Sequence, residues 1–244
     1  MSGHSQFKNI MYRKGAQDAK RAKVFSKISR EITVAVKEGG SDPESNARLR
    51  SALLSARSEN MPKDNIDRAI KKALGGDTDS DYQRVVYEGY GPGGVAIIVE
   101  GLTNNKNRTA SAVRSAFSKF GGSLGETNSV SFQFDRVGCV SYPKDIAKSE
   151  DMLLEMGLEV GADDVLSEDD ENCEFICAID QLSSVRDNLI EKLGDPLSAK
   201  ITWKPKNLVA INEDVAKSLS KLIDMLEDDD DVQAVYANYD LPEE

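Results

Sequence analysis

Four basic residues near the N-terminus have the spacing of one helix face. They are Lys20, Lys23, Lys27 and Arg30, and intervals of three and four residues bring side chains together on an α-helix. Residues 1–30 contain eight basic residues and one acidic residue, Asp18. Because solvated helix faces usually mix both signs at intervals of four, a face of one sign favours contact with nucleic-acid phosphates. A solvated face without a ligand is the alternative.

The residues that precede this helix predict an extended basic arm. Residues 1–15 are polar and basic and show no clear periodicity. Such an arm can enter a groove or stack its aromatic residues on bases, although Phe7 could equally pack on the helices. The candidate nucleic-acid-binding residues are therefore His4, Lys8, Arg13, Lys14, Lys20, Lys23, Lys27 and Arg30.

A second candidate contact lies between a predicted strand and a predicted helix. Lys106 and Arg108 are expected to face outward there, where they could bind nucleic acid or the ribosome. A purely structural role is the alternative, with Asn107 or Thr109 as the N-cap of the helix.

The net charge of the 244-residue chain, −11, hides a division. Residues 1–75 carry a net charge of +8, whereas the remaining residues carry −19. The sequence therefore predicts a basic module joined to an acidic body. Two acidic runs, Glu168–Glu171 and Glu227–Asp231, are predicted to be solvated loops. Weak divalent-cation binding and contact with the basic module are the alternatives.

Few residues are available for metal or nucleophilic chemistry. His4 is the only histidine, which disfavours both a histidine-rich zinc site and a Ser-His-Asp triad. The cysteines, Cys139, Cys173 and Cys177, are too few for a disulfide framework, and the last two share one face of a predicted strand. Gly89–Gly94 precedes a strand and not the helix that a phosphate loop needs, which predicts a hairpin turn. Catalysis by carboxylates alone stays open, because 42 acidic residues give many chance pairs and the sequence singles out none. The expectation is nevertheless a protein that is not an enzyme and that uses no metal or cofactor.

Hydrophobic periodicity predicts the elements that position these residues. It indicates a helix over 16–38, a second that begins at Pro43 with Ser41 or Asp42 as its N-cap, and a third from Pro62 to Gly75. Strands and helices then alternate to about residue 240, including a strand over 129–134. The predicted fold class is α+β, with a three-helix module followed by two small ferredoxin-like domains.

No run of the sequence approaches 18 apolar residues, so no membrane-spanning helix is expected. The first residues also lack the apolar core of a signal peptide. We therefore expect a cytoplasmic protein with no membrane partner. The oligomeric state stays open, with a monomer favoured.

Several long motifs resemble those of one protein family. They are Gly3–Ser5, the stretch from Lys14 to Lys27, Asn60–Ile70, Tyr87–Gly94 and Asn107–Thr109. In content and order they are similar to the YebC/PmpR family over essentially the whole chain. The resemblance implies three domains: residues 1–76, residues 82–134 together with 207–240, and residues 135–206 inserted into the second domain.

The resemblance also implies a function. Members of this family are described as cytoplasmic DNA-binding transcriptional regulators, mitochondrial relatives activate translation of cytochrome oxidase, and bacterial relatives are linked to the ribosome. The first expectation is thus a DNA-binding regulator, and the alternative is a translation factor that contacts ribosomal RNA. The chain departs from the family where Gln6 and Phe7 replace Lys and Trp, and where Asn104 and Lys106 replace Asp and Arg.

Overall fold

Three helices form the first part of the molecule. The computed structural model describes residues 17–75, 81–147, 149–167 and 171–241, with side chains from residue 21 onward. Its first elements are α1 (Gln17–Gly39), α2 (Ala47–Ser58) and α3 (Lys63–Leu74). Their apolar faces meet in a core of Ile32, Ala35, Val36, Leu49, Ala52, Ala69 and Ala73. Because most of these side chains are alanines, the helices can approach closely. The predicted three-helix module is confirmed.

The N-cap predicted for α2 is wrong. Asp42 accepts a hydrogen bond from the Glu44 amide at 3.0 Å and so belongs to a turn that precedes the helix. The cap is Asn46, whose Oδ1 accepts from the Leu49 amide at 3.0 Å. Its Nδ2 donates to the carbonyl of Ala35 at 2.7 Å, which ties the start of α2 to α1.

Strands and helices alternate after residue 81. An antiparallel hairpin comes first, formed by β1 (Gln83–Tyr90) and β2 (Ala96–Thr103), and the predicted turn between them is confirmed. The helix α4 (Lys106–Lys119) and the short strand β3 (Ser123–Leu124) follow. The next elements are β4 (Phe134–Pro143), α5 (Glu150–Val160), β5 (Asp164–Leu166), β6 (Asn172–Cys177), α6 (Leu182–Leu193) and β7 (Ser198–Pro205). The described chain ends with β8 (Val209–Ala210), α7 (Glu213–Glu227), β9 (Val232–Ala237) and β10 (Tyr239–Asp240).

Two four-stranded antiparallel sheets organise these elements. The first has the order β3-β1-β2-β9, so a strand from the end of the chain lies beside β2. The second has the order β5-β6-β4-β7 and the βαββαβ connectivity of ferredoxin-like folds. The first sheet is connected differently, since its hairpin is followed by one helix–strand unit, α4-β3, and later by a second, α7-β9. The predicted α+β class is confirmed.

The first sheet packs on α4 and α7. Its inward side chains include Ile97 and Val99, which pack with Phe117 of α4 and with Leu219 and Leu222 of α7. This packing places the C-terminal end of α7 directly before β9 at the edge of the sheet. The chain from Glu227 to Asp231, which joins the two, is called the acidic segment below.

The helical module contacts the second sheet through α2. Leu54 of α2 is buried in the core of that sheet, together with Tyr142, Phe175 and Val140. Arg57, near the end of the same helix, pairs with Asp195 at 3.0 Å. Cys173 and Cys177 lie fully buried in this core, as their position on one strand face predicts.

The strand predicted over 129–134 is wrong except at its last residue, Phe134. The buried carboxylate of Glu88 accepts hydrogen bonds from the amides of Asn128, Val130 and Ser131 at 2.7–2.9 Å. Amides held by a carboxylate are not available for strand pairing, so this stretch forms a loop and β4 begins at Phe134. Burial alone raises the pKa of Glu88, but these hydrogen bonds outweigh it and lower the pKa.

Candidate nucleic-acid interface

The structure brings four of the predicted residues together. Lys23, Lys27 and Arg30 lie on one face of α1, and Arg108 lies in the first turn of α4. All four contact the acidic segment. Four of the remaining candidates, His4, Lys8, Arg13 and Lys14, lie outside the described residues, as does the side chain of Lys20.

Lys23 and Lys27 of α1 meet the C-terminal end of α7. Lys23 Nζ lies 2.6 Å from a carboxylate oxygen of Asp228. Lys27 Nζ donates to the backbone carbonyl of Glu227 at 3.0 Å. The last carbonyls of a helix have no partner within the helix and carry partial negative charge. The lysines therefore stabilise a helix end that would otherwise be unfavourable for acidic residues.

Arg30 makes a second, more buried contact. Its Nη1 lies 2.6 Å from Oδ1 of Asp231 and 3.2 Å from the carbonyl of Leu102. The guanidinium also lies over the ring of Tyr82, with 5.1 Å between Cζ and the ring centroid. These contacts dock α1 on the end of β2, and a delocalised planar cation suits all three partners.

Asp231 is the centre of a hydrogen-bond network. Oδ2 accepts from Arg108 Nη2 at 2.6 Å, and the hydroxyls of Thr109 and Thr103 lie 2.7 and 3.0 Å away. With Arg30 on Oδ1, both carboxylate oxygens are satisfied although the side chain is only 4% exposed. A buried carboxylate with this many donors is stable in its charged form.

The network changes the titration of Asp231. Burial raises its pKa, but the hydrogen bonds from Arg108, Thr109, Arg30 and Thr103 outweigh this effect and lower the pKa to about 2. The same contact raises the pKa of Arg108, chiefly through its hydrogen bond to Asp231. Both groups are therefore charged throughout the physiological range.

Backbone contacts fix the position of Asp231. Its amide donates to Asp229 Oδ1 at 2.8 Å, and its carbonyl accepts from the Leu102 amide at 2.8 Å. The pairing of β2 with β9 is irregular at this point, between Glu100 and Gly101. A Cβ on Gly101 would lie 2.7 Å from the carbonyl oxygen of Asp231, so this close approach requires glycine.

Comparison with known proteins shows which family has this architecture. A family model described as the TACO1/YebC protein N-terminal domain matches residues 5–76, and one described as the TACO1/YebC second and third domain matches residues 82–239. The chain belongs to the YebC family. A YebC-family protein is expected to have a regulatory role, and the helical module that carries the cationic face corresponds to the family's N-terminal domain.

A solved structure with the same fold supports the assignment to the YebC family. It is the crystal structure of a conserved hypothetical protein, Aq1575, from Aquifex aeolicus. The two proteins are 47% identical, the match covers 96% of each chain, and the TM-score is 0.86. This agreement covers the helical module and both sheets.

The leading interpretation of the acidic segment is corrected by the structure. The sequence predicts a solvated loop, but Asp231 is buried and Asp228 pairs with Lys23. Contact with the basic module, one of the alternatives, is what the structure shows. The other acidic run lies mostly outside the described residues, which include only Glu171 of Glu168–Glu171.

The start of α4 also differs from the prediction. The N-cap is Asn105 and not Asn107 or Thr109, since Asn105 Oδ1 accepts from the Arg108 amide at 3.1 Å. Lys106 is exposed as predicted and lies outside the network around Asp231. Its backbone carbonyl accepts a hydrogen bond from the hydroxyl of Tyr87 at 3.3 Å. Arg108 is also exposed, at 55%, and pairs with Asp231 at 2.6 Å.

Sequence reasoning did not predict the hydrogen-bond network that joins Asp231 to Thr103 and Thr109. Arg30 and Asp231 are separated by 201 positions, and helix periodicity carries no information over such a distance. The available signal was one of charge, because a basic helix face and an acidic run in one chain can pair.

The described residues contain neither a membrane-spanning helix nor a cluster of metal ligands. Among the residues described, no helix is both long and apolar enough to cross a membrane. Nor does the described part of the chain contain a group of three or more His, Cys, Asp or Glu side chains that could hold a metal ion.

Proposed function

We propose that this YebC-family protein is a non-enzymatic regulator of gene expression that binds the DNA backbone through its helical module. The observation that carries the proposal is that the cationic face of α1 already binds anionic groups, at 2.6 Å for Lys23 and Asp228. A phosphate oxygen offers a lysine the same interaction as a carboxylate oxygen. The net charge of +8 over residues 1–75 supports this role for the module.

Ribosomal RNA is the second candidate target, and one observation favours it. Arg30 and Arg108, whose guanidinium groups could read base edges, are both bound to Asp231. On α1, Lys23 contacts the exposed carboxylate of Asp228 and Lys27 contacts a backbone carbonyl, and lysines make phosphate contacts without base specificity. A translation factor that recognises the shape of ribosomal RNA would need no operator-reading residues. Either target is consistent with a cytoplasmic location, which we also propose.

The proposed domain division supports a separate binding module. We infer domains of residues 1–76, residues 82–134 with 207–240, and residues 135–206. The pairing of β9 with β2 supports a return of the chain to the middle domain after the second sheet.

Charge reversal on α1 tests the proposed function. In the full-length protein, Lys20→Glu, Lys23→Glu and Lys27→Glu together should weaken binding to duplex DNA by about tenfold or more, because attraction to phosphates becomes repulsion. The control reverses three lysines of the second sheet and its surroundings, Lys192, Lys200 and Lys206, and gives the same net charge. Fluorescence anisotropy with labelled DNA and ribosomal RNA fragments measures both. Equal losses for the two variants would contradict binding by the module.

The two candidate targets are separated by a different measurement. Sedimentation of the wild-type protein with ribosomes is compared with footprinting on genomic DNA. Loss of ribosome association in the α1 variant, without any footprint on DNA for the wild type, would favour the translation factor. A footprint that disappears in the variant supports the DNA-binding regulator.

A further inference from the structure

The contacts between α1 and the acidic segment fall into two classes by burial. In the outer contact, Lys23 and Asp228 are 39% and 73% exposed. In the inner contact, Arg30 and Asp231 are 16% and 4% exposed. Water and mobile ions therefore reach the outer pair but not the inner one.

The outer contacts can exchange their partners. An exposed ion pair between flexible side chains favours the paired state by only about two- to fivefold. Lys27 donates to a backbone carbonyl of the α7 terminus in a partly buried contact, and that carbonyl carries only a partial negative charge. A phosphate backbone offers Lys27 a full negative charge in place of a partial one, and it offers Lys23 a charge equivalent to that of Asp228.

The inner contact cannot exchange in the same way. Asp231 is held by four side chains, and its backbone is bonded to Leu102. Breaking this network would leave a buried carboxylate and a largely buried guanidinium without partners, which is costly. The helical module therefore stays docked while the outer residues change partner.

We propose that the acidic segment is an internal competitor for nucleic acid, which occupies Lys23 and Lys27 in the free protein and is displaced from them by phosphates. The proposal rests on the proposed function, because it assumes a nucleic-acid ligand for the α1 face. Its consequence is that the free protein shields its own cationic face. A ligand with few phosphates in reach does not displace the segment, whereas a polyanion with closely spaced phosphates does.

Zero-length cross-linking of the wild-type protein tests this competition. A carbodiimide activates a carboxylate, and a neighbouring lysine amine then attacks it, forming an amide and releasing the carbodiimide as a urea. At 2.6 Å, Lys23 and Asp228 are in reach of this reaction. The pair of Lys192 and Glu159, at 2.7 Å and also exposed, lies on α6 and α5 of the second sheet and is a matched control. Mass spectrometry measures both cross-linked peptides.

The reaction is run with and without a saturating duplex or ribosomal RNA fragment that has 5′-hydroxyl ends, with binding verified by anisotropy. We expect the Lys23–Asp228 product to decrease at least threefold with nucleic acid, while the Lys192–Glu159 product stays constant. If nucleic acid binds and both products persist, the competition is disproved but the proposed function stands. If neither duplex nor RNA binds at all, the proposed function fails and the competition with it.

Discussion

At the scale of single residues, Asp231 connects more elements of the structure than any of the predicted binding residues does. It joins α1, the end of β2 and the start of α4 through Arg30, Thr103 and Arg108. A carboxylate can do this because two oxygens accept several donors at once, and burial is tolerated because the donors include two cations. The residue therefore acts in docking the helical module and not in binding a ligand.

Removing the charge of Asp231 should destabilise the protein in a pH-dependent way. The pKa is lowered from 3.8 to about 2, so the charged form contributes about 2 kcal/mol to the free energy of unfolding. Because the folded pKa lies below the unfolded one, this contribution is complete above about pH 5 and decreases as the pH falls through 4 toward 2. Urea unfolding of wild type and Asp231→Asn from pH 6 to pH 3 measures the difference. The exposed Asp230→Asn is the control, and a gap that does not narrow on acidification would contradict the argument.

At the scale of elements, the meeting of α1 with the end of α7 explains how an acidic helix terminus is tolerated. Acidic residues at a helix C-terminus are disfavoured by the helix dipole. Lys23 and Lys27 of α1 offset that effect, and Lys27 does so by donating to a backbone carbonyl of the terminus. The same neutralisation lowers the positive potential available to a nucleic acid.

Neutralising the acidic segment should therefore strengthen nucleic-acid binding. With Glu227→Gln and Asp228→Asn, Lys23 no longer exchanges a carboxylate for a phosphate and the negative charge around the α7 terminus is reduced, so affinity should rise about two- to fivefold. The plot of log affinity against log salt should steepen by about one, since binding no longer frees the Asp228 carboxylate to take up a counterion. Anisotropy titrations at several salt concentrations measure both quantities. The control, Asp151→Asn with Glu155→Gln on α5, changes the net charge equally. An equal rise in affinity for the control would show that the effect comes from net charge and not from the acidic segment.

The elements were predictable to different degrees for physical reasons. The three helices, the β1–β2 hairpin and the cationic face of α1 all follow from residues close in sequence, where periodicity and turn chemistry decide the structure. The caps were harder to assign, because Asp42 and Asn46 are both good capping residues and the choice depends on packing against α1. The pairing of that face with the acidic segment depends on tertiary structure, and no local pattern in the sequence shows which acidic residues the face will contact.

At the scale of the whole molecule, the helical module is fixed against both sheets at once. The Asp231 network holds it on the first sheet, and Leu54 of α2 inserts into the core of the second. Two separate attachments prevent free rotation of the module. The cationic face therefore keeps a constant orientation toward an acidic body with a net charge of −19, which repels phosphates from other approaches.

Leu54→Ala should show that α2 is part of the second sheet's core. The substitution opens a cavity among Val140, Tyr142 and Phe175, and should lower the free energy of unfolding by about 2–4 kcal/mol. Trp203, the only tryptophan, lies in β7 and packs against the first sheet, where its Nε1 donates to Glu100 at 3.0 Å. Its fluorescence therefore reports on the contact between the two sheets, while circular dichroism also reports on the helices. Both urea transitions should move to lower concentration together.

Leu74→Ala, at a side chain that is 63% exposed, is the control with little expected change. A Trp203 transition that stays in place while the helical signal shifts would mean that the module unfolds independently of the two packed sheets.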